Sequence, residues 1–156
     1  MKLWLYPNSR IHSDSKNRRS FLALLFSAGD CAALAVQGDT MNWLEMSEDE
    51  ILNIANPIMD NLMQASTDID HERHVRDFSE RLKKIVTKEN LEQQCNLYQK
   101  ELGCFSDREL MGVVRKDTDV RIFWKQWYTK SKNEYLAFIH LIENNGKIEV
   151  VNASVS

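Results

Sequence analysis

The sequence is short of the residues that break a chain or make it flexible. Its 156 residues include five glycines and two prolines, which leaves little room for long flexible linkers. It has no uninterrupted apolar run of about 18 residues, the length that a membrane-spanning helix needs. A chain of this size can hold one domain with a hydrophobic core and is too short for two ordinary domains.

Charge and motifs exclude further classes of protein. The formal net charge is −3, which gives no support for a nucleic-acid partner, because nucleic-acid-binding domains are usually basic. Apolar residues make up 43% of the chain and charged residues 28%, the composition of a globular domain. No Cys-x-x-Cys pair, phosphate-binding loop, nucleophile elbow or EF-hand loop occurs. We therefore predict no cofactor and no metal, and assign no residue as catalytic.

Residues 1–35 differ from the rest of the chain in charge. They hold five basic and two acidic residues, a net charge of +3, whereas the remainder carries −6. The pair Arg18-Arg19 precedes the apolar run 21–26, and small residues follow up to Ala35. This order resembles a twin-arginine export signal with a signal-peptidase site. It predicts cleavage after residue 35 and a periplasmic or secreted protein.

The same segment has a second interpretation. Asp30 lies in or just after the apolar region, where a charge is costly for an export signal. Residues 3–6 would then form a strand and residues 19–35 a buried helix. In that case the segment would pack on the domain, and the protein would be cytoplasmic.

Residues 36–46 are predicted to form a linker, and residues 47–156 the folded domain. Ser47 and Glu50 have the spacing of a capping box, in which each side chain bonds a free amide at the start of a helix. Three helices are predicted: one from Ser47 through an apolar stripe ending at Met63, then residues 70–85 and 87–102, with Gly103 as terminator. Pro57 lies inside the first pattern and predicts a kink or a break near Asn56.

The hydrophobic period then changes from helical to strand-like. Four strands are predicted, over residues 109–116, 119–130, 134–143 and 147–155. The separators are too short for parallel crossovers, so the strands should form an antiparallel meander. Asn145-Gly146 is typical of a type I′ hairpin turn.

That turn predicts the register of the last two strands. Asn144 should face Lys147, and Leu141 should face Val150. Continued outward, His140 faces Val151, Phe138 faces Ala153 and Leu136 faces Val155. Both faces of the sheet are then apolar, and one layer of helices can cover only one of them. The second face should meet the N-terminal segment or another subunit.

The element order and three short motifs resemble the nuclear transport factor 2-like superfamily, which includes small bacterial exported proteins of unassigned function. The motifs are 76–79 (Arg-Asp-Phe-Ser), 102–103 (Leu-Gly) and 146–148 (Gly-Lys-Ile). The resemblance covers residues 51–155. It implies an α+β fold with three helices packed on a curved four-stranded antiparallel sheet, a pocket within this cone, and often a homodimer through the outer sheet face.

The leading functional hypothesis is a non-catalytic exported domain that binds a small apolar ligand or a protein. Aromatic residues near the expected pocket, together with one histidine in an apolar strand, are the candidate ligand-binding residues: Tyr98, Trp124, Tyr128 and His140. One alternative is an isomerase- or dehydratase-like enzyme with His140 as general base, although no acidic partner is evident for it. Another is a cytoplasmic partner-binding protein.

Two further clusters have ordinary structural explanations. His71 and His74 lie three residues apart on a predicted helix, a spacing that could hold a shared metal ion, but with no further ligand cluster a polar helix start is the favoured explanation. Cys95 and Cys104 are close enough in sequence for a disulfide in an oxidising compartment, or they are two free thiols.

Overall fold

A computed structural model describes residues 41–156. The predictions for the export segment and for residues 36–40 of the linker lie outside the described residues. The described part has an α+β architecture, with helices first and strands after them. The elements are α1 (Glu48–Asp68), α2 (His71–His74), α3 (Glu80–Ile85), α4 (Lys88–Leu102), β1 (Phe105–Arg115), β2 (Asp119–Tyr128), β3 (Ser131–Asn144) and β4 (Lys147–Val155).

Helix α1 begins at the predicted cap. The Ser47 hydroxyl accepts from the Glu50 amide, and the Glu50 carboxylate accepts from the Ser47 amide, so the capping box is confirmed. Pro57 lies inside α1 and does not end it. The apolar stripe continues past the proline, and burial of that stripe outweighs the one lost backbone hydrogen bond. No helix in residues 41–156 has the length and apolar character required to cross a membrane.

The predicted helix over 70–85 is wrong, because the chain divides there into α2 and α3. The residues between them pair with the edge of β4. The Ser79 amide donates to the Val150 carbonyl at 2.9 Å, and the Val150 amide donates to the Asp77 carbonyl at 2.7 Å. Phe78 is 2% exposed within this short parallel bridge. Sheet pairing and burial of Phe78 therefore override the helical periodicity, and the bridge covers part of an edge that would otherwise be open.

Helix α4 begins and ends as predicted. The Thr87 hydroxyl accepts from the Asn90 amide, and Gly103 follows the last turn with a φ of 82°. A Cβ atom on Gly103 would lie 2.1 Å from the Thr129 hydroxyl oxygen. Glycine is therefore required at this position by backbone conformation and by close packing.

The four strands form one antiparallel sheet in the order β1-β2-β3-β4, which confirms the meander. Strand β1 begins at Phe105, four residues before the predicted start. Asn145 and Gly146 have φ values of 53° and 78°, as a type I′ turn requires.

The register between β3 and β4 is confirmed only near the turn. Asn144 pairs with Lys147 and Leu141 with Val150, as predicted. Beyond that point the ladder shifts by one residue, so His140 pairs with Asn152 rather than with Val151.

The outer pairs of the same ladder are also corrected. Phe138 pairs with Ser154 rather than with Ala153, and Val155 pairs with Ala137 rather than with Leu136. Such a bulge moves every later side chain to the other face. Val155, 1% exposed, consequently joins the buried face.

The two faces of the sheet have different environments. The inner face carries the side chains that are buried with the helices: Val120, Ile122, Trp124, Ala137, Ile139, Leu141, Val150 and Val155. Trp43, within the segment predicted as a linker, is fully buried as well. The outer face mixes apolar and charged side chains, among them Arg121, Phe123, Lys125 and Phe138, and all four are half-buried.

Candidate functional site

The four candidate ligand-binding residues lie in three different places. Tyr98 and Tyr128 belong to an aromatic cluster in the core, and Trp124 lies at a cleft between α1 and β1. His140 is on the outer face of the sheet, because its neighbours Ile139 and Leu141 are buried on the inner face. The structure therefore does not bring the four residues together in one pocket.

The aromatic cluster is packed core. The ring of Tyr128 lies 5.7 Å from that of Tyr98, 4.8 Å from that of Phe105 and 4.8 Å from that of Tyr135. Tyr98 is fully buried and Tyr128 is 2% exposed. Neither hydroxyl makes a hydrogen bond within residues 41–156, and burial raises the pKa of both phenols. These rings act mainly through apolar packing and edge contacts.

The two cysteines near this cluster are free thiols in the structure, and the disulfide between them stays a prediction. Cys95 is buried on α4, and burial raises the pKa of its thiol to about 11. The Tyr98 hydroxyl lies near this thiol, although the two groups do not align as a hydrogen bond. Cys104 follows the helix end and is half-buried. A fully buried thiol such as that of Cys95 is chemically inert.

The cleft between α1 and β1 has a volume of about 430 Å³. Helix α1 contributes residues spaced four apart, which places them on one side of the helix, and β1 contributes alternate residues. The lining residues are Leu52, Asn56, Asp60, Ser106, Arg108, Leu110 and Trp124. Four of the seven side chains are polar, so the cleft suits an amphipathic ligand better than the purely apolar ligand that was expected.

Arg108 is the central charged group of the cleft. Its side chain is 15% exposed, and its Nη2 atom donates to Asp60 Oδ1 at 2.6 Å. The guanidinium carbon lies 5.3 Å from the centre of the Trp124 ring. A cation–π contact of this kind attracts the guanidinium to the ring face and helps to keep it in place. Trp124, itself 2% exposed, therefore supports the arginine rather than offering a free ring to a ligand.

A β-bulge places Arg108 on the inner face. Phe105 pairs with Tyr128 and Arg108 pairs with Gln126, so three steps along β1 match two along β2. Strict alternation would put Phe105 and Arg108 on opposite faces, but the extra residue lets both face inward.

The buried side chain of Gln126 stabilises this bulge. Its Nε2 atom donates to the carbonyls of Ser106, Asp107 and Trp127 at 3.3, 3.1 and 2.8 Å. Sequence reasoning missed Gln126, although a lone amide in an apolar strand row was a signal that could have identified it.

On the outer face, His140 has the acidic partner that the sequence did not reveal. The His140 Nε2 atom lies 2.9 Å from Asp119 Oδ1. Arg121 and Lys116 approach the same carboxylate at 3.5 and 3.9 Å. The pairing of Arg121 with His140 and of Asp119 with Ile142 brings these groups together. No signal within either strand identifies Asp119 as this partner, because the two residues meet only through the β2–β3 register.

The charges around His140 act in opposite directions on its protonation. Burial lowers the pKa of His140, the positive charge of Arg121 lowers it further, and Asp119 opposes both effects. The pair resembles a carboxylate-oriented imidazole, which can accept a proton. It faces away from the cleft, so the two features cannot act on the same small molecule.

The histidines at 71 and 74 are engaged separately. His71 Nε2 lies 2.8 Å from the Val86 carbonyl oxygen, and His74 Nδ1 lies 3.1 Å from the Ser66 hydroxyl. No group of three or more His, Cys, Asp or Glu side chains is arranged to hold a metal ion in residues 41–156.

Comparisons with known proteins give weak similarities only. No family model and no curated protein matches the chain. A SEC-C motif-containing protein from Rhodopseudomonas palustris is similar at 10% identity and a TM-score of 0.44, over 65% of this chain and 88% of that one. Bd1075 from Bdellovibrio bacteriovorus is similar at 12% identity and a TM-score of 0.45, over 71% of this chain and 43% of Bd1075. A de novo designed protein with a curved β-sheet has 10% identity and a TM-score of 0.39, over 65% and 97% of the two chains.

Proposed function

We propose that residues 47–156 form a non-catalytic binding domain whose small-ligand site is the cleft between α1 and β1. The observation that carries this proposal is the cleft itself, with a volume of about 430 Å³ and a mixture of polar and apolar lining residues. Ligand sites in proteins have this size and combine apolar walls with a few placed polar groups.

The proposal includes membership of the nuclear transport factor 2-like superfamily. Its support is the order of helices followed by a four-stranded antiparallel meander. In this proposal the cleft between α1 and β1 corresponds to the pocket that the superfamily has within its cone.

Export through residues 1–35 is part of the same proposal, and its support is the twin-arginine pattern at residues 18–19. Fractionation of native cells and the intact mass of the protein test it. A periplasmic product beginning near Val36 is expected. A full-length cytoplasmic product would refute export and favour the alternative of a cytoplasmic partner-binding protein.

Benzamide, a neutral planar fragment, tests the cleft. The amide NMR signals of Leu52, Ser106 and Leu110 should shift on titration of the full chain. Replacing Leu52 by Trp should fill the cleft and remove these shifts, because the larger side chain takes the space of the probe. Leu97→Trp is the matched control, since Leu97 is 51% exposed on α4 and does not line the cleft. Shifts scattered over the surface, or unaffected by Leu52→Trp, would refute a ligand site here.

A second candidate function is pairing with another copy through the outer sheet face. Phe123 and Phe138 stack there with ring centres 5.8 Å apart, while Val114 and Leu136 remain 50% and 40% exposed. Partly exposed apolar side chains grouped on one face are typical of an interface. Leu136→Lys should shift a homodimer toward monomer in analytical ultracentrifugation, whereas Leu97→Lys should not. An unchanged mass for Leu136→Lys would contradict this candidate.

The enzyme alternative now has a different location. An isomerase- or dehydratase-like reaction using His140 would take its substrate on the outer face, where Asp119 orients the imidazole. His140→Ala should then abolish activity with little change in melting temperature. A large loss of stability without an assignable activity would instead identify a structural pair.

A further inference from the structure

We infer that the cleft between α1 and β1 binds a small organic carboxylate, which replaces Asp60 as the counter-ion of Arg108. This inference rests on the proposed function of the cleft and names the chemical class of its ligand.

Most hydrogen-bond donors of the Arg108 guanidinium are unused among the described residues. A guanidinium carries five N–H donors in a planar fork that matches a carboxylate. Within residues 41–156 only one of its nitrogens makes a hydrogen bond, to Asp60 Oδ1. The side chain is 15% exposed and lines the cleft, so its remaining donors lie in a partly desolvated environment. A partly desolvated guanidinium favours a bidentate anion more strongly than a fully hydrated one does.

Asp60 is a counter-ion that a ligand can replace. Its side chain is 67% exposed and makes no hydrogen bond other than the one to Arg108 among the described residues. An exposed carboxylate returns to water at little cost, because ion pairs at the surface contribute weakly to stability. Arg108, by contrast, is fixed by Trp124 and by the bulge that Gln126 stabilises. The arginine therefore stays in place when its partner changes.

The other lining residues suit the body of such a ligand. The side chains of Asn56 and Ser106 line the cleft and make no hydrogen bond within residues 41–156, so both are available to further oxygen atoms. Leu52 and Leu110 supply the apolar wall. Arg108 is the single cation among the described lining residues, which favours a monoanionic carboxylate over a doubly charged phosphate beside Asp60.

Benzoate and benzamide form a matched pair of probes, since they share shape and differ in charge. Titration of the full chain, followed by amide NMR, should show benzoate binding about tenfold more tightly than benzamide. Arg108→Gln should reduce benzoate binding to the level of benzamide. Arg108→Lys keeps the positive charge but loses the planar pair of N–H donors, so its benzoate affinity should lie between those of the wild type and Arg108→Gln.

Asp60→Asn provides the sharpest test, because it predicts a gain. Removing the internal competitor should raise benzoate affinity several-fold and leave benzamide unchanged. The exposed position of Asp60 makes misfolding a minor concern, and this variant keeps the inference testable if Arg108→Gln fails to fold.

The outcomes separate the inference from the proposed function. Equal binding of both probes in the cleft, or weaker benzoate binding by Asp60→Asn, would overturn the carboxylate inference and leave a ligand cleft standing. Binding of neither probe would overturn both.

Discussion

The stability of the domain should fall between pH 7 and pH 5 because of His74. This residue is 3% exposed, and its ring makes an edge contact with Phe78 at 5.3 Å. Burial lowers the pKa of His74 from its ordinary value of 6.5 to about 4, and the charge of His71 contributes in the same direction. A hydrogen bond to the Leu62 carbonyl opposes this effect without cancelling it.

The sign and size of the effect follow from proton binding. The unfolded chain protonates this imidazole near pH 6.5, whereas the folded chain keeps it neutral down to about pH 4. Between these values the unfolded state binds more protons, so acid favours unfolding. From pH 7 to pH 5 this linkage lowers the free energy of unfolding by about 2 kcal/mol. That is a large share of the roughly 5–15 kcal/mol that stabilises an ordinary domain.

Urea denaturation of the wild type and of His74→Gln at several pH values measures the effect. The glutamine does not titrate, so the wild type should lose about 2 kcal/mol more than the variant between pH 7 and pH 5. The pKa of His140 is also lowered, and that contribution is common to both proteins and cancels in the difference. Lowered carboxylate pKa values, as at Glu50, affect stability below this window.

An NMR titration of the His74 ring serves as an independent readout should the variant unfold. The ring signals should remain at their neutral positions until the pH approaches 4. A midpoint near 6.5, or parallel pH profiles for the two proteins, would refute the reasoning.

Three further predictions concern packing and chemistry. Gly103→Ala should lower the free energy of unfolding by more than about 2 kcal/mol, because the added Cβ would collide with Thr129. Gly146→Ala should cost about 1 kcal/mol, because Gly146 has a similar positive φ but open space around it. Equal losses in thermal melts would show that the structure relaxes around the new Cβ at position 103. Cys95 should be alkylated far more slowly than Cys104 in peptide mapping of the native protein, and equal rates would contradict its burial. Gln126→Leu should cost about 1–3 kcal/mol in urea denaturation by leaving bulge carbonyls unpaired, and an unchanged midpoint would mean that the bulge is held by other contacts.

Features that depend on residues close together in the chain were predictable from the sequence. The capping box of Ser47 and Glu50, the end of α4 at Gly103 and the turn at 145–146 each involve groups within about four positions. Short separators between strands leave antiparallel pairing as the accessible arrangement. The helices-then-meander order was therefore predictable without knowledge of the core.

Features that depend on pairing between distant segments were not predictable in this way. The helical period over 70–85 gives no sign that Phe78 bridges to Val150, because the competing partner is about seventy residues away. In the same way, Asp119 becomes the partner of His140 only through the β2–β3 register.

Long-range packing and strand register fix which side chains meet at the cleft. One extra residue in β1 moves Arg108 inward, over Trp124 and toward Asp60. Another extra residue, in β4 opposite His140, moves the side chains that follow it in β4 to the opposite face of the sheet. Side chains alternate along a strand with a period of two, so a single bulge exchanges the buried and exposed sets without changing the local pattern of the sequence.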